Sequence, residues 1–171
     1  DALRNMNVPV ANAEVLVLGA SYREDVGDTR YSGSEVMIRR LTEMGAEIRV
    51  HDPYVDQWWE FTNQDEDGGK SVFFRNQKKL KDLKIEKRLA KVLNDIDCLV
   101  LAVRHEEYLK LDPDQVVKAV GHPIAVVDCF GILDDKAIVR YLELGCEVKG
   151  MGRGHIRRLK ESVKKTWEEK E

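Results

Sequence analysis

Short apolar runs alternate along the chain with stretches whose apolar positions recur at helical spacing. The first run, Val15–Leu18, is uninterrupted by charge, which predicts a strand buried on both faces of a parallel sheet. A helix should follow. Ser32 and Glu35 form an S-x-x-E capping box, Met37, Leu41 and Met44 fall at i, i+4 and i+7, and Gly45 ends the pattern. Ala46–Val50 reads as a second strand, stopped at His51-Asp52-Pro53 because proline cannot donate to a central ladder. Asp97–Val103 predicts a third strand and Pro123–Val127 a fourth. Between them Asp112-Pro113-Asp114-Gln115 opens a helix, with Asp as N-cap and Pro in the first turn. Gly131–Leu144 reads as a turn and helix, and Gly145-Cys146-Glu147-Val148 as a short fifth strand.

This rhythm of strand and helix implies βαβ units with right-handed crossovers. The expected fold is a Rossmann-like doubly wound parallel α/β sheet with helices on both faces, spanning residues 14–152. Three segments stand outside it. Residues 1–13 read as the end of a preceding helix and a linker, and a start at Asp1 without Met reads as a piece of a longer protein. Residues 56–91 read as a charged insertion, with Asp65-Glu66-Asp67 followed by Gly68-Gly69 and an edge strand offered at Ser71–Phe74. Within it, Arg75–Lys91 carries eight basic and two acidic residues and reads as a solvated helix face, since acids flank it and no aromatics are interleaved. Residues 153–171 read as an exposed helical C-terminal extension.

Composition narrows the function. The 171 residues suit one domain, and 43% hydrophobic with 35% charged is the balance of a soluble globular chain. A net charge of −3 argues against a protein built to hold nucleic acid or an anionic membrane. No apolar stretch approaches the roughly 20 residues that span a bilayer. Cys98, Cys129 and Cys146 form no CxxC pair, which supports neither a zinc site nor a disulfide framework. They read as small buried thiols, and the expected compartment is cytoplasmic.

In an open parallel sheet, ligands bind beyond the carboxyl ends of the strands. The residues there are Gly19, Ser21, Tyr22, Arg23, Asp25, Asp28 and Arg30 after the first strand and His51 and Asp52 after the second. Arg104, His105 and Glu106 follow the third strand, and Asp128, Cys129 and Phe130 the fourth. The G-x-G-x-x-G fingerprint of a dinucleotide site is missing: Gly19 stands alone and Gly27 comes eight residues later. Phosphate would have to be met by side chains, and the two loop arginines suit it by bidentate hydrogen bonding. His105 beside Glu106 reads either as a general base or as a surface pair. Arg153 and His155 in GRGH read either as a phosphate patch or as part of a flexible tail. Cys129 has no base placed to activate it. These residues describe a binding domain without catalytic machinery of its own.

The run VLVLGASYREDVGDTRYSGSEVMIRRLTEMGAEIRVHDPYV resembles the C-terminal domain of the UDP-glucose/GDP-mannose dehydrogenase family. That family carries a first strand, a G-x-x-(F/Y)-K-x-x-x-x-D-x-R loop, a helix and a second strand ending in D-P. DIDCLVLAVRHEEYLKLD and AVVDCFGILDD fall where later family landmarks lie, so the likeness covers about residues 12–152. The resemblance implies an NAD-dependent nucleotide-sugar dehydrogenase that oxidises the primary alcohol of a UDP-linked sugar to a carboxylate. It further implies an N-terminal NAD domain and a central domain, absent from this chain, that bring the catalytic cysteine and homo-oligomer contacts. Carried over by position, Tyr22 and Arg23 contact the substrate nucleotide, with Arg23 in place of the family lysine, and Arg30 reaches the cofactor side; read from the residues alone, Arg30 instead pairs with Asp25 or Asp28 and shapes the loop. Phe130 stands where a nucleotide-contacting arginine is expected; it can stack but cannot neutralise phosphate, which leaves Arg153 or Arg104 to supply that charge. The alternative is a stand-alone nucleotide- or protein-binding module without catalysis, to be distinguished by the sequence upstream of Asp1. A receiver-like domain would need an acid at the end of the third strand, where this chain has Arg104 and His105.

Overall fold

Six parallel strands form the sheet of this computed structural model, which describes residues 1–62 and 77–168. In chain order they are β1 (Glu14–Leu18), β2 (Glu47–His51), β3 (Ile85–Glu86), β4 (Cys98–Leu101), β5 (Ala125–Asp128) and β6 (Glu147–Gly150). The helices are α1 (Ala2–Asn5), α2 (Gly33–Glu43), α3 (Trp59–Thr62), α4 (Pro113–Val120), α5 (Asp135–Glu143) and α6 (His155–Glu168). The spatial order is β3-β2-β1-β4-β5-β6, with Val15 beside Ile48 on one side and Cys98 on the other. The chain direction across the sheet therefore reverses between β1 and β4, which is the topological switch point of such a fold.

Alternation along the strands divides the interior into two cores. Leu16, Leu18, Leu99, Leu101 and Val126 pack with α4, α5 and α6 through Val116, Ile138, Tyr141 and Ile156. Val15, Val17, Val50 and Val100 face the other way, onto Ile38 of α2 and onto Leu3, Trp58 and Phe61. Each fully buried aliphatic side chain contributes about 1.5–3 kcal/mol relative to exposure. Every strand from β1 to β6 except the edge strand β3 reads at the predicted place, with ends moved by a few residues.

The helix starts follow the predicted caps with one difference. Asp112 accepts from the amides of Asp114 and Gln115, and Ser32 accepts from the amide of Ser34. Glu35 does not close a reciprocal box; it pairs with Arg39 at 2.7 Å, because a fixed guanidinium one turn on outcompetes the Ser32 amide, which donates to Thr29.

The flanking segments are more integrated than their composition suggests. The charged stretch 77–91 is not a solvated helix. It comprises 3-10 turns at Gln77–Asp82 and Leu89–Lys91 around β3, because Leu80 and Ile85 anchor it at a non-helical spacing: Leu80 is buried and Ile85 pairs beside Val50. The acidic cluster 65–67, Gly68-Gly69 and the edge strand expected at 71–74 lie outside the described residues. The C-terminal extension is indeed a helix, α6, but one that packs through Ile156, Leu159 and Val163 onto the core. Buried Glu147 on β6 accepts from Lys160 of α6 and from Asn5 Nδ2 at 2.6 Å, tying both terminal segments to one strand. Among the described residues no helix is long and apolar enough to cross a membrane.

Candidate functional site

The strand ends at the switch point meet at Gly19. It has φ +106°, and a Cβ there would lie 2.4 Å from Val103 Cβ and 2.9 Å from the Val103 amide nitrogen. The single glycine after β1 is thus consumed by close packing against the segment after β4. A dinucleotide's pyrophosphate needs backbone left open by glycines at this turn. The residues present do not fit one, and the loop that continues from Ala20 to Tyr31 presents side chains at this edge instead.

Asp52, at the end of β2, organises that loop. Its carboxylate is wholly buried. Oδ2 accepts from the amides of Ala20 at 2.7 Å and Ser21 at 3.2 Å, from Ser21 Oγ at 3.0 Å and from His105 Nε2 at 3.1 Å. Oδ1 accepts from the amides of Tyr54 at 2.8 Å and Val55 at 3.2 Å. Burial opposes ionisation, yet the hydrogen bonds from His105, Ala20 and Tyr54 outweigh it and hold this carboxyl below the usual range.

His105, read from the sequence as a general base or a surface residue, is neither. It is fully buried, and both ring nitrogens are used: Nδ1 accepts from the Asp25 amide at 2.8 Å while Nε2–H donates to Asp52. Its neighbour Glu106 donates its amide to Asp25 Oδ1 at 3.0 Å instead of partnering the imidazole. Tyr54 and Tyr108 flank the ring at 5.0 and 5.4 Å between centroids. His51 is equally buried, with Nδ1 2.9 Å from Tyr108 Oη and Nε2 3.2 Å from the Lys87 carbonyl. The Tyr108 hydroxyl donates to the His51 carbonyl at 2.9 Å, and burial pushes the basicity of the His51 imidazole down.

The residues carried over by resemblance all sit on exposed loops at this edge. Tyr22 and Arg23 project from the β1–α2 loop, with the Arg23 guanidinium 5.5 Å from the Tyr22 ring centroid. Arg30 pairs with Asp28 in the same loop, Nη2 to Oδ2 at 2.6 Å and Nε to Oδ1 at 3.0 Å. That pair holds the Asp28 carboxyl down at about 2. Phe130, after β5, is 61% exposed. Its loop is wound around buried Asp128, which accepts from the amides of Phe130, Ile132 and Leu133.

The two arginines that could replace the charge missing at Phe130 differ. Arg153 donates to Asp128 Oδ2 at 3.2 Å and to the Leu133 carbonyl at 2.5 Å, so it is spent on the loop. His155 is bound to Asp135 at 2.9 Å. Arg104 is exposed, and among the described residues neither it nor Arg23 has a carboxylate partner. Burial and the adjacent Asp128 carboxylate push the Cys129 thiol up, the reverse of what a nucleophile requires. The role of Asp52 was legible only as its place at a strand end; that of Tyr54 and Tyr108 carried no sequence signal.

Fold and rim together define a Rossmann-like α/β domain whose switch-point rim carries exposed side chains and no open glycine loop. Residues 16–135 match the description "UDP-glucose/GDP-mannose dehydrogenase family, UDP binding domain", and the chain belongs to that family. It is 24% identical over 91% of its length to a UDP-N-acetyl-D-mannosamine dehydrogenase of Pyrococcus horikoshii, covering 29% of that protein. It is 25% identical over 75% of its length to a UDP-glucose 6-dehydrogenase of Caenorhabditis elegans, covering 26% of it. The chain thus spans less than a third of these curated relatives. The fold is shared with the crystal structure of an NDP-N-acetyl-D-galactosaminuronic acid dehydrogenase from Methanosarcina mazei Go1. There the TM-score is 0.72 at 23% identity, over 91% of this chain and 28% of that one.

Proposed function

We propose that this domain holds the UDP part of a nucleotide-linked sugar for an NAD-dependent 6-dehydrogenase, which oxidises the sugar's primary alcohol to a carboxylate. The observation that carries the proposal is the exposed Tyr22–Arg23 pair at the switch point, whose guanidinium has no carboxylate partner among the described residues. A planar fork in that position suits phosphate oxygens by charge-assisted, bidentate hydrogen bonds. Phe130 offers a ring face to the base or the sugar. Arg104 is the remaining cation for phosphate, and Arg30, steadied by Asp28, is assigned to the cofactor half of the cleft. Because Gly19 leaves no room for a dinucleotide turn, NAD and the catalytic cysteine belong to further domains of the parent protein, which also carry its homo-oligomer contacts. Titration calorimetry of the 171-residue chain tests the reading. UDP should bind with a Kd below about 1 mM and more tightly than UMP or GDP. Absence of binding by all three at that concentration would sink an autonomous nucleotide site.

A further inference from the structure

The buried pair Asp52–His105 cannot touch a ligand, yet it meets the nucleotide loop on both sides of Tyr22 and Arg23. On the near side, Asp52 Oδ2 holds the Ala20 and Ser21 amides. On the far side, the Asp25 amide donates to His105 Nδ1 at 2.8 Å, and the Glu106 amide returns a bond to Asp25 Oδ1 at 3.0 Å. Asp25 adopts a left-handed conformation, φ +55°, at this turn. The reciprocal pair of bonds therefore crosses the crevice between the segments that follow β1 and β4. His105 Nε2–H is anchored in turn on the carboxylate that fixes the near side.

We infer that His105, oriented by Asp52, is a positioning residue that clamps the loop carrying Tyr22 and Arg23 in its binding conformation. The inference rests on the UDP reading of that rim. Two fixed points, Ser21 and Asp25, leave three intervening residues few conformations to lose when the nucleotide arrives, and affinity rises by the ordering cost avoided. The imidazole suits the task because one nitrogen accepts from the loop while the other donates to the anchor, a division fixed by its two partners.

The test is amide hydrogen exchange together with UDP calorimetry on the full chain, comparing wild type with His105→Ala and His105→Asn. In wild type the Asp25 and Glu106 amides should be protected. His105→Ala should deprotect both while β1 and β4 remain protected, and UDP should bind about tenfold more weakly. His105→Asn keeps an acceptor at the δ position; it should restore Asp25 protection and return affinity to within about threefold of wild type. If His105→Ala does not fold, His105→Gln takes its place, since it keeps the donor to Asp52 but not the δ acceptor. An Asp25 amide that stays protected in the Ala or Gln variant, or an unchanged UDP affinity there, overturns the inference. If wild type itself does not bind UDP, the reading of the rim fails, and exchange at Asp25 alone decides the clamp.

Discussion

Replacing Asp52 by Asn changes one atom in the most densely hydrogen-bonded side chain of the rim. In wild type, Oδ2 receives four donors and Oδ1 two, all from the chain itself. An Asn side chain offers one acceptor oxygen. If that oxygen stays on the Ala20, Ser21 and His105 side, the amide group faces the Tyr54 and Val55 N–H groups, donor against donor. An orphaned buried donor costs about 1–3 kcal/mol. With the Tyr54 amide nearer solvent than that of Val55, Asp52→Asn should lose about 2–4 kcal/mol, a large share of the 5–15 kcal/mol typical of a domain. Urea unfolding at neutral pH measures this as a lower midpoint at unchanged slope. The pH dependence supplies a second check. Asp52's carboxyl is held below its ordinary 3.8 in the folded chain, so its contribution is present above about pH 4 and is lost as pH falls through the lowered value. The gap between wild type and variant should therefore narrow in acid. A loss under about 1 kcal/mol at neutral pH, or a gap that stays constant into acid, would refute the assignment of Asp52 as an ionised hub.

Gly19→Ala should lower the thermal midpoint and cost about 2–4 kcal/mol, because the new methyl overlaps Val103 at a left-handed φ; a midpoint within a degree or so of wild type would show that the two segments separate easily. Arg23→Ala should weaken UDP binding by about 1–3 kcal/mol with little change in stability, measured by calorimetry beside thermal melting. The native chain should alkylate slowly at all three cysteines, with Cys129 first: Cys98 is pushed up to about 12 by burial, and Cys129, the partly buried one, is raised as well. Mass spectrometry after timed labelling reads the order, and fast modification of Cys98 would contradict its burial.

How much of this was legible in the sequence depended on how local the determining contacts are. β1, α2 and α4 were readable because apolar runs, caps and a stop lie within a dozen residues of one another. β3 was not: two residues flanked by lysines carry no period, and its place is set by pairing with β2 more than thirty residues earlier. α6 carried a signal that its charge concealed, since Ile156, Leu159, Val163 and Trp167 recur at i, i+3, i+7 and i+11. The histidines were the least legible. His51 bonds Tyr108, and His105 bonds Asp52 and Asp25, all across the sheet; a residue list along the strand ends names these groups without saying which are inside.

That distinction resolves what first looks like one polar rim into two populations. Asp52 and Asp128 stand at the ends of β2 and β5 and do the same work. Each is a wholly buried carboxylate that gathers backbone N–H groups from following or neighbouring loops. Each also has one basic partner, His105 for the first and Arg153 for the second. Tyr22, Arg23, Arg104 and Phe130 are carried on the exposed outer sides of the loops these groups organise or at their flanks. A site met by glycines gains rigidity from the turn itself, whereas a site met by side chains needs its loops fixed from beneath. The acids of this rim are the fixing; Arg23 and Arg104, without a carboxylate partner among the described residues, and the exposed rings of Tyr22 and Phe130 are the side chains left for the proposed nucleotide contact. The substitution of phenylalanine at 130 then becomes a question of recognition alone, because the backbone beneath it is held by Asp128 whatever the side chain above.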